Sequence, residues 1–150
     1  MKTEGLNKIH QVDVALIQLE KACELFFRKD YISSLTLAGA AEEILGNISE
    51  KESKKFLNRK KKDRGISAFN MQAELFENLM GQDYSTFKQK RNQTRNELKH
   101  LKDNYTVDIS ELELKVKQII GDTVTNYKLI SGELPKLSQI KRFCKKVGVS

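Results

Sequence analysis

The chain has a single proline and no tryptophan. With so few breakers nothing interrupts long helical runs, and a composition rich in Leu, Ile, Ala, Lys and Glu reads as all-α. There are two cysteines, Cys23 and Cys144, far apart in the chain, and no paired Cys-x-x-Cys occurs, so the pattern favours separate thiols over a bridge and gives no support to a zinc site. Each sits on an apolar face, which predicts two buried thiols and a reducing setting such as the cytoplasm. The two histidines, His10 and His100, are equally distant, and no His-Glu-x-x-His occurs. Metal catalysis therefore has no support, and no cofactor is expected. No glycine-rich phosphate loop is present, which removes the nucleotide-hydrolysing and dehydrogenase readings. No apolar run approaches the roughly 20 residues that a membrane span needs, and residues 1–11 lack the apolar core of a secretory signal. The expectation is a cytoplasmic protein without a membrane partner.

What the chain has in excess is positive charge. Its 150 residues suit one domain with a real core, and its net charge is +7. That balance favours polyanionic partners, RNA or a nucleotide first, although solubility alone also accounts for basic proteins. The charge is concentrated in two places. One is the segment 51–64, where Lys60, Lys61 and Lys62 stand among further lysines and arginines; both a solvated loop and an electrostatic arm for phosphates fit it. The other is 135–150, read as a basic amphipathic C-terminal helix or tail. There Leu137, Ile140, Cys144 and Val147 dock while Lys136, Lys141, Arg142, Lys145 and Lys146 stay wet.

Periodicity sets out the helices. Over 7–28, Ile9, Val12, Leu16, Leu19, Cys23 and Phe26 recur by three and four, the seam of a helix with several neighbours. His10 stands beside that seam as a surface or capping residue. Asp30 caps a second helix over 31–48, whose Ala38-Gly39-Ala40-Ala41 patch admits another helix closely. Glu42 is a carboxylate on its apolar stripe, and a carboxylate facing inward calls for a cation. The pattern then breaks until Asn70, which caps a short helix ended by Gly81. Asp83 or Ser85 caps a helix running to about 102, and Ser110 with Glu113 opens another that ends at Ser131 and Gly132. The prediction is one domain, an all-α antiparallel bundle of five to six helices.

The stretch 91–100 holds the chemistry. At 100° per residue, Thr94 and Leu98 fall on a stripe that can bury, while Asn92, Arg95, Asn96, Lys99 and His100 fall roughly opposite. Arg95 and His100 are ~7.5 Å apart along such a helix and ~140° apart in angle. Their side chains can flank one phosphate if that face closes against something. Histidine moves protons near neutral pH, and arginine offers a planar fork to phosphate oxygens without ever losing its charge. Asn96 can hydrogen-bond to phosphate or orient the imidazole, and Arg91 and Lys99 add cations for RNA. One histidine cannot serve at once as acid and base, so two copies meeting about a two-fold axis complete the cleft.

Arg95, then Asn96, then His100 after a gap of four residues resembles the signature of the HEPN family, small all-helical proteins. Ala40-Ala41-Glu42-Glu43-Ile44-Leu45 is similar to that family's second-helix segment, which often carries an acidic residue supporting the Arg/His site. Glu42 matches that residue, with Glu43 as the alternative, while Gly46 stands where many relatives have lysine. The helix ending in Asn126-Tyr127-Lys128-Leu129 extends the likeness to about 7–134. The resemblance implies an HEPN-like bundle and a homodimeric, metal-independent ribonuclease whose site residues are Arg95, Asn96, His100 and Glu42. It also implies a setting in toxin–antitoxin or phage-defence systems, with an antitoxin or other partner protein. Other branches of the family bind nucleotides or partners without catalysis, which leaves a nucleotide- or RNA-binding or adaptor dimer as the alternative.

Overall fold

The structure, a computed structural model, describes residues 8–56, 65–81, 83–86, 88–89 and 106–149. It is an all-α bundle. α1 spans Gln11–Phe27, α2 Tyr31–Phe56, α3 Ala68–Met80, α4 Ile109–Ser131 and α5 Ser138–Val147. Residues 84–86 and 88–89 are also helical. Among the described residues no helix is long and apolar enough to cross a membrane.

α2 lies at the centre, packed against α1 on one side and α4 on the other. Leu35, Ala38, Ala41 and Leu45 of α2 are buried among Ala15, Leu19, Ala22 and Cys23 of α1 and Val116, Ile120 and Val124 of α4. The alanines on both sides of the α1–α2 contact hold the helix axes close, as the small-residue patch predicted. The turn between them is short: Lys29 takes a left-handed conformation (φ 64°), and Asp30 donates its amide to Leu25 O at 3.0 Å. Asp30 then caps α2 by accepting from Ser33 N at 3.2 Å, and Ser34 Oγ, wholly buried, donates to Ala22 O at 2.6 Å. Such a connection sends α2 back alongside α1.

Element ends differ from the sequence expectation in consistent ways. α1 begins at Gln11 rather than near residue 7, because His10 is its N-cap and accepts from Val12 N through Nδ1 at 3.1 Å. Ile9, assigned to the seam, is 45% exposed. α2 runs eight residues past the expected end, through Glu50, Lys51, Glu52, Lys54 and Lys55, which are good helix formers although they show no apolar period. α3 is capped by Ser67, not Asn70, and closes at Gly81 with φ 66°. α4 is capped by Asp108, not Ser110; its carboxylate accepts from Ser110 N at 2.8 Å and Glu111 N at 3.1 Å.

α5 docks through Ile140, Phe143 and Cys144, all buried, and Phe143 meets Phe26 edge-on at 5.6 Å. Its own N-cap residue, Leu137, has no side-chain acceptor. Glu20 of α1 supplies one instead. Its carboxylate accepts from Gln139 N at 2.8 Å, Ile140 N at 3.1 Å and Ser138 Oγ at 3.2 Å. A negative group at the positive end of a helix also complements the helix dipole. Glu20→Ala should therefore lower stability by about 1–2 kcal/mol, the range for losing an N-cap. Urea unfolding followed by circular dichroism checks this, and a change of only a few tenths would contradict the role.

Cys23 and Cys144 are both free and buried. Burial, then the carboxylate of Glu20 and the second thiol, push Cys23 well above the ordinary thiol range, and burial raises Cys144. Neither thiol should react with Ellman's reagent in the native protein, and both should react at once in denaturant. Because Cys23 holds its proton more tightly when folded, stability is retained below the unfolded thiol pKa of ~8.5 and falls above it. The slope for this one group is at most about 1.4 kcal/mol per pH unit. Alkaline urea titrations of the wild type and Cys23→Ser would show whether the slope is present and belongs to Cys23.

Candidate functional site

Of the residues that the sequence marks for chemistry, Glu42 lies within the described residues. Arg91, Arg95, Asn96, Lys99 and His100 lie outside them, as do Lys60, Lys61 and Lys62. Glu42 sits half-buried on α2, one turn before Gly46. A methyl group at Gly46 would stand 3.4 Å from Nδ2 of Asn126 and 3.8 Å from Oε1 of Glu42. The glycine is thus a buried point of contact between α2 and α4, with the Glu42 carboxylate on one side and the Asn126 amide on the other. A lysine at 46 would push its stem against Asn126.

Asn126 ties this contact to α3. It is fully buried, and its Oδ1 accepts from Ala68 N, the first amide of α3, at 2.9 Å. Its Nδ2 has no acceptor, a buried donor pointed towards Gly46. One turn earlier on α4, the buried Asp122 accepts from Gln72 Nε2 at 2.7 Å. Two polar residues spaced by four on α4 therefore hold the N-terminal half of α3, and the second also reaches the face of α2 that carries Glu42. Neither Asp122 nor Asn126 was assigned a role in the site from sequence. Their signal was a pair of polar residues at i and i+4 inside the stripe of Ile119, Ile120, Val124 and Tyr127.

The end of α2 fixes the segment before α3. Ser49 Oγ donates to Ile66 O at 2.8 Å, Ser53 Oγ accepts from Ile66 N at 2.6 Å, and Ser67 Oγ donates to Glu50 Oε1 at 2.8 Å. Asn70 Nδ2 donates to Gly65 O at 2.9 Å, and Tyr84 Oη donates to Asn70 Oδ1 at 3.1 Å. Tyr84 also meets Phe69 edge-on at 5.4 Å. Asp83 accepts from Thr86 N at 2.7 Å, a hydrogen bond that holds its carboxyl below the usual carboxylate range. The helical turn 84–86 is thus capped by Asp83, one of the two candidates, and pinned to α3.

A cavity of about 680 Å³ opens where the start of α1 meets the later turns of α2 and α4. Ile48, Ile66 and Leu129 form apolar walls, and His10 and Glu52 stand in its lining. With His10 Nδ1 accepting from Val12 N, the proton of the neutral ring is on Nε2.

No family model, curated protein or solved structure matches this chain.

Proposed function

We propose that this protein is a metal-independent endoribonuclease of HEPN type that works as a homodimer. The observation that carries the reading is the sequence Arg95-Asn96 followed by His100, in a chain whose described residues fold as an all-α bundle. Cleavage of RNA asks for three things: a proton taken from a 2′-hydroxyl, stabilisation of the negative charge that builds on phosphorus, and a proton returned to the 5′-oxygen. His100 serves proton transfer and Arg95 clamps the phosphate, with the second histidine coming from the other copy. Asn96 orients the imidazole or the phosphate, and Glu42 holds an arginine in place. Arg91, Lys99, Lys60, Lys61 and Lys62 draw in the RNA strand without regard to sequence. The setting that fits this chemistry is a cytoplasmic toxin–antitoxin or phage-defence system, with an antitoxin as partner.

Glu42 supports the reading by its position, half-buried on the central helix one turn from the buried Gly46. A second reading, a non-catalytic nucleotide- or RNA-binding or adaptor dimer, draws on the 680 Å³ cavity, which falls within the usual size of a ligand pocket. The test that separates them is incubation of the purified protein with mixed-sequence RNA in EDTA. Fragments ending in 2′,3′-cyclic phosphate support the nuclease, and binding without fragments supports the second reading.

A further inference from the structure

After Glu133 the chain contains no acid, yet it contains Lys136, Lys141, Arg142, Lys145 and Lys146. α5 carries four of these five, and all five are exposed. Lys136 pairs with Glu133 at 3.5 Å. Among the described residues Lys141, Arg142, Lys145 and Lys146 form no ion pair. They make two rows spaced by four, 141 with 145 and 142 with 146, so each row places two cations ~6 Å apart along the helix. The second row rests on an aromatic ring. Arg142 Cζ lies 3.9 Å from the centroid of the Phe27 ring, and Lys146 Nζ lies 5.5 Å from it. Stacking on that ring fixes the arginine's fork while leaving its edge open to phosphate oxygens.

The opposite face of α5 is already used. Ile140, Phe143 and Cys144 are buried in the core, and Glu20 holds the first turn. A helix that binds a lipid surface inserts its apolar face into it, and the middle of that face, Ile140, Phe143 and Cys144, is buried in the bundle; Leu137 and Val147, expected to dock as well, remain 41% and 40% exposed at the two ends of α5, too far apart to form one inserting face. What remains outward is an unneutralised array of cations on a rigid base, which suits a chain of regularly repeated negative charges. We infer that the outer face of α5, with Arg142 set on Phe27, is a binding surface for the phosphate backbone of single-stranded RNA. It uses residues other than the Arg95/His100 stretch and Lys60, Lys61 and Lys62, and it requires no catalysis.

The test uses the full chain and a fluorescein-labelled single-stranded 2′-O-methyl RNA, which cannot be cut through a 2′-hydroxyl. Binding is followed by anisotropy across a salt series. The variant Lys141→Gln, Arg142→Gln, Lys145→Gln, Lys146→Gln is compared with a control that loses the same charge elsewhere: Lys8→Gln, Lys88→Gln, Lys117→Gln, Lys128→Gln. Each phosphate contact on a single strand contributes about 0.7 to the slope of log K against log salt. The α5 variant should therefore lose roughly 3 from that slope and bind at least about tenfold more weakly at low salt, while the control stays near wild type. Protection of Cys144 from Ellman's reagent shows that α5 is still docked in the variant. Equal affinity and slope in the two variants would overturn the inference. So would wild-type protein that ignores this RNA but floats with phosphatidylserine vesicles. Because the probe cannot be cleaved, a chain that binds it through α5 yet never cuts RNA keeps this inference and removes the nuclease reading.

Discussion

Gly65→Ala should destabilise the protein by about 2–3 kcal/mol, the upper part of the range for overpacking. A methyl group at that position would overlap the backbone of Glu50 itself, and a helix backbone cannot swing away as a side-chain tip can. The residues affected are those that seat α3. Gly65 O accepts from Asn70 Nδ2, Ile66 is held by Ser49 and Ser53, and Ser67 is both the cap of α3 and a donor to Glu50. Moving this segment outward breaks its bonds to Ser49, Ser53 and Glu50 together and leaves the buried Ser49 hydroxyl without its acceptor. Gly121→Ala is the companion measurement. Nothing lies within 4 Å of a methyl group there, and the residue is inside α4, so alanine should add up to about 1 kcal/mol by helix propensity. Urea midpoints moving in opposite directions would agree with this packing. A neutral Gly65→Ala would mean that 65–67 is not pressed against α2.

The helices and most of their buried faces were legible because an apolar residue every three or four positions is a local signal. Leu19, Cys23 and Phe26 are buried as the spacing says, and so are Leu35, Ala38 and Leu45. Caps were harder where two candidates stood close together. Ser67 and Asn70 are both good capping residues; the choice falls to Ser67 because Asn70 is taken up by Gly65 and Tyr84, contacts that only the folded chain creates. The last turns of α2 were hidden because Glu and Lys favour helix without leaving any apolar period. Glu20 was beyond reach for a different reason: a carboxylate on a helix surface looks solvated until the start of α5, more than a hundred residues later, is brought to it. At the candidate site, Glu42 was visible as a charge on an apolar stripe. Asp122 and Asn126 carried the same kind of signal on α4, but a stripe counted by its apolar members passes over them.

His100→Ala should abolish most RNA cleavage while leaving the fold intact, the largest functional effect expected of any single change. Removal of a general acid or base costs on the order of 10²–10⁴ in rate. The polar face assigned to His100 by the helical wheel is not the stripe that can bury, so folding should not depend on the imidazole. Arg95→Lys should fail nearly as badly, since an ammonium keeps the charge but not the two-pronged geometry that grips phosphate oxygens. Because His100 is assigned to proton transfer and not to holding the strand, His100→Ala should still bind the uncleavable 2′-O-methyl RNA as wild type does. A loss of binding together with cleavage in His100→Ala would instead assign His100 to holding the strand.

The most direct measurement compares wild type and His100→Ala, purified identically, on the same RNA in EDTA. The account predicts fragments ending in cyclic phosphate from the wild type and a rate at least about a hundredfold lower from His100→Ala. Equal cleavage by the two, or none by either, would contradict it.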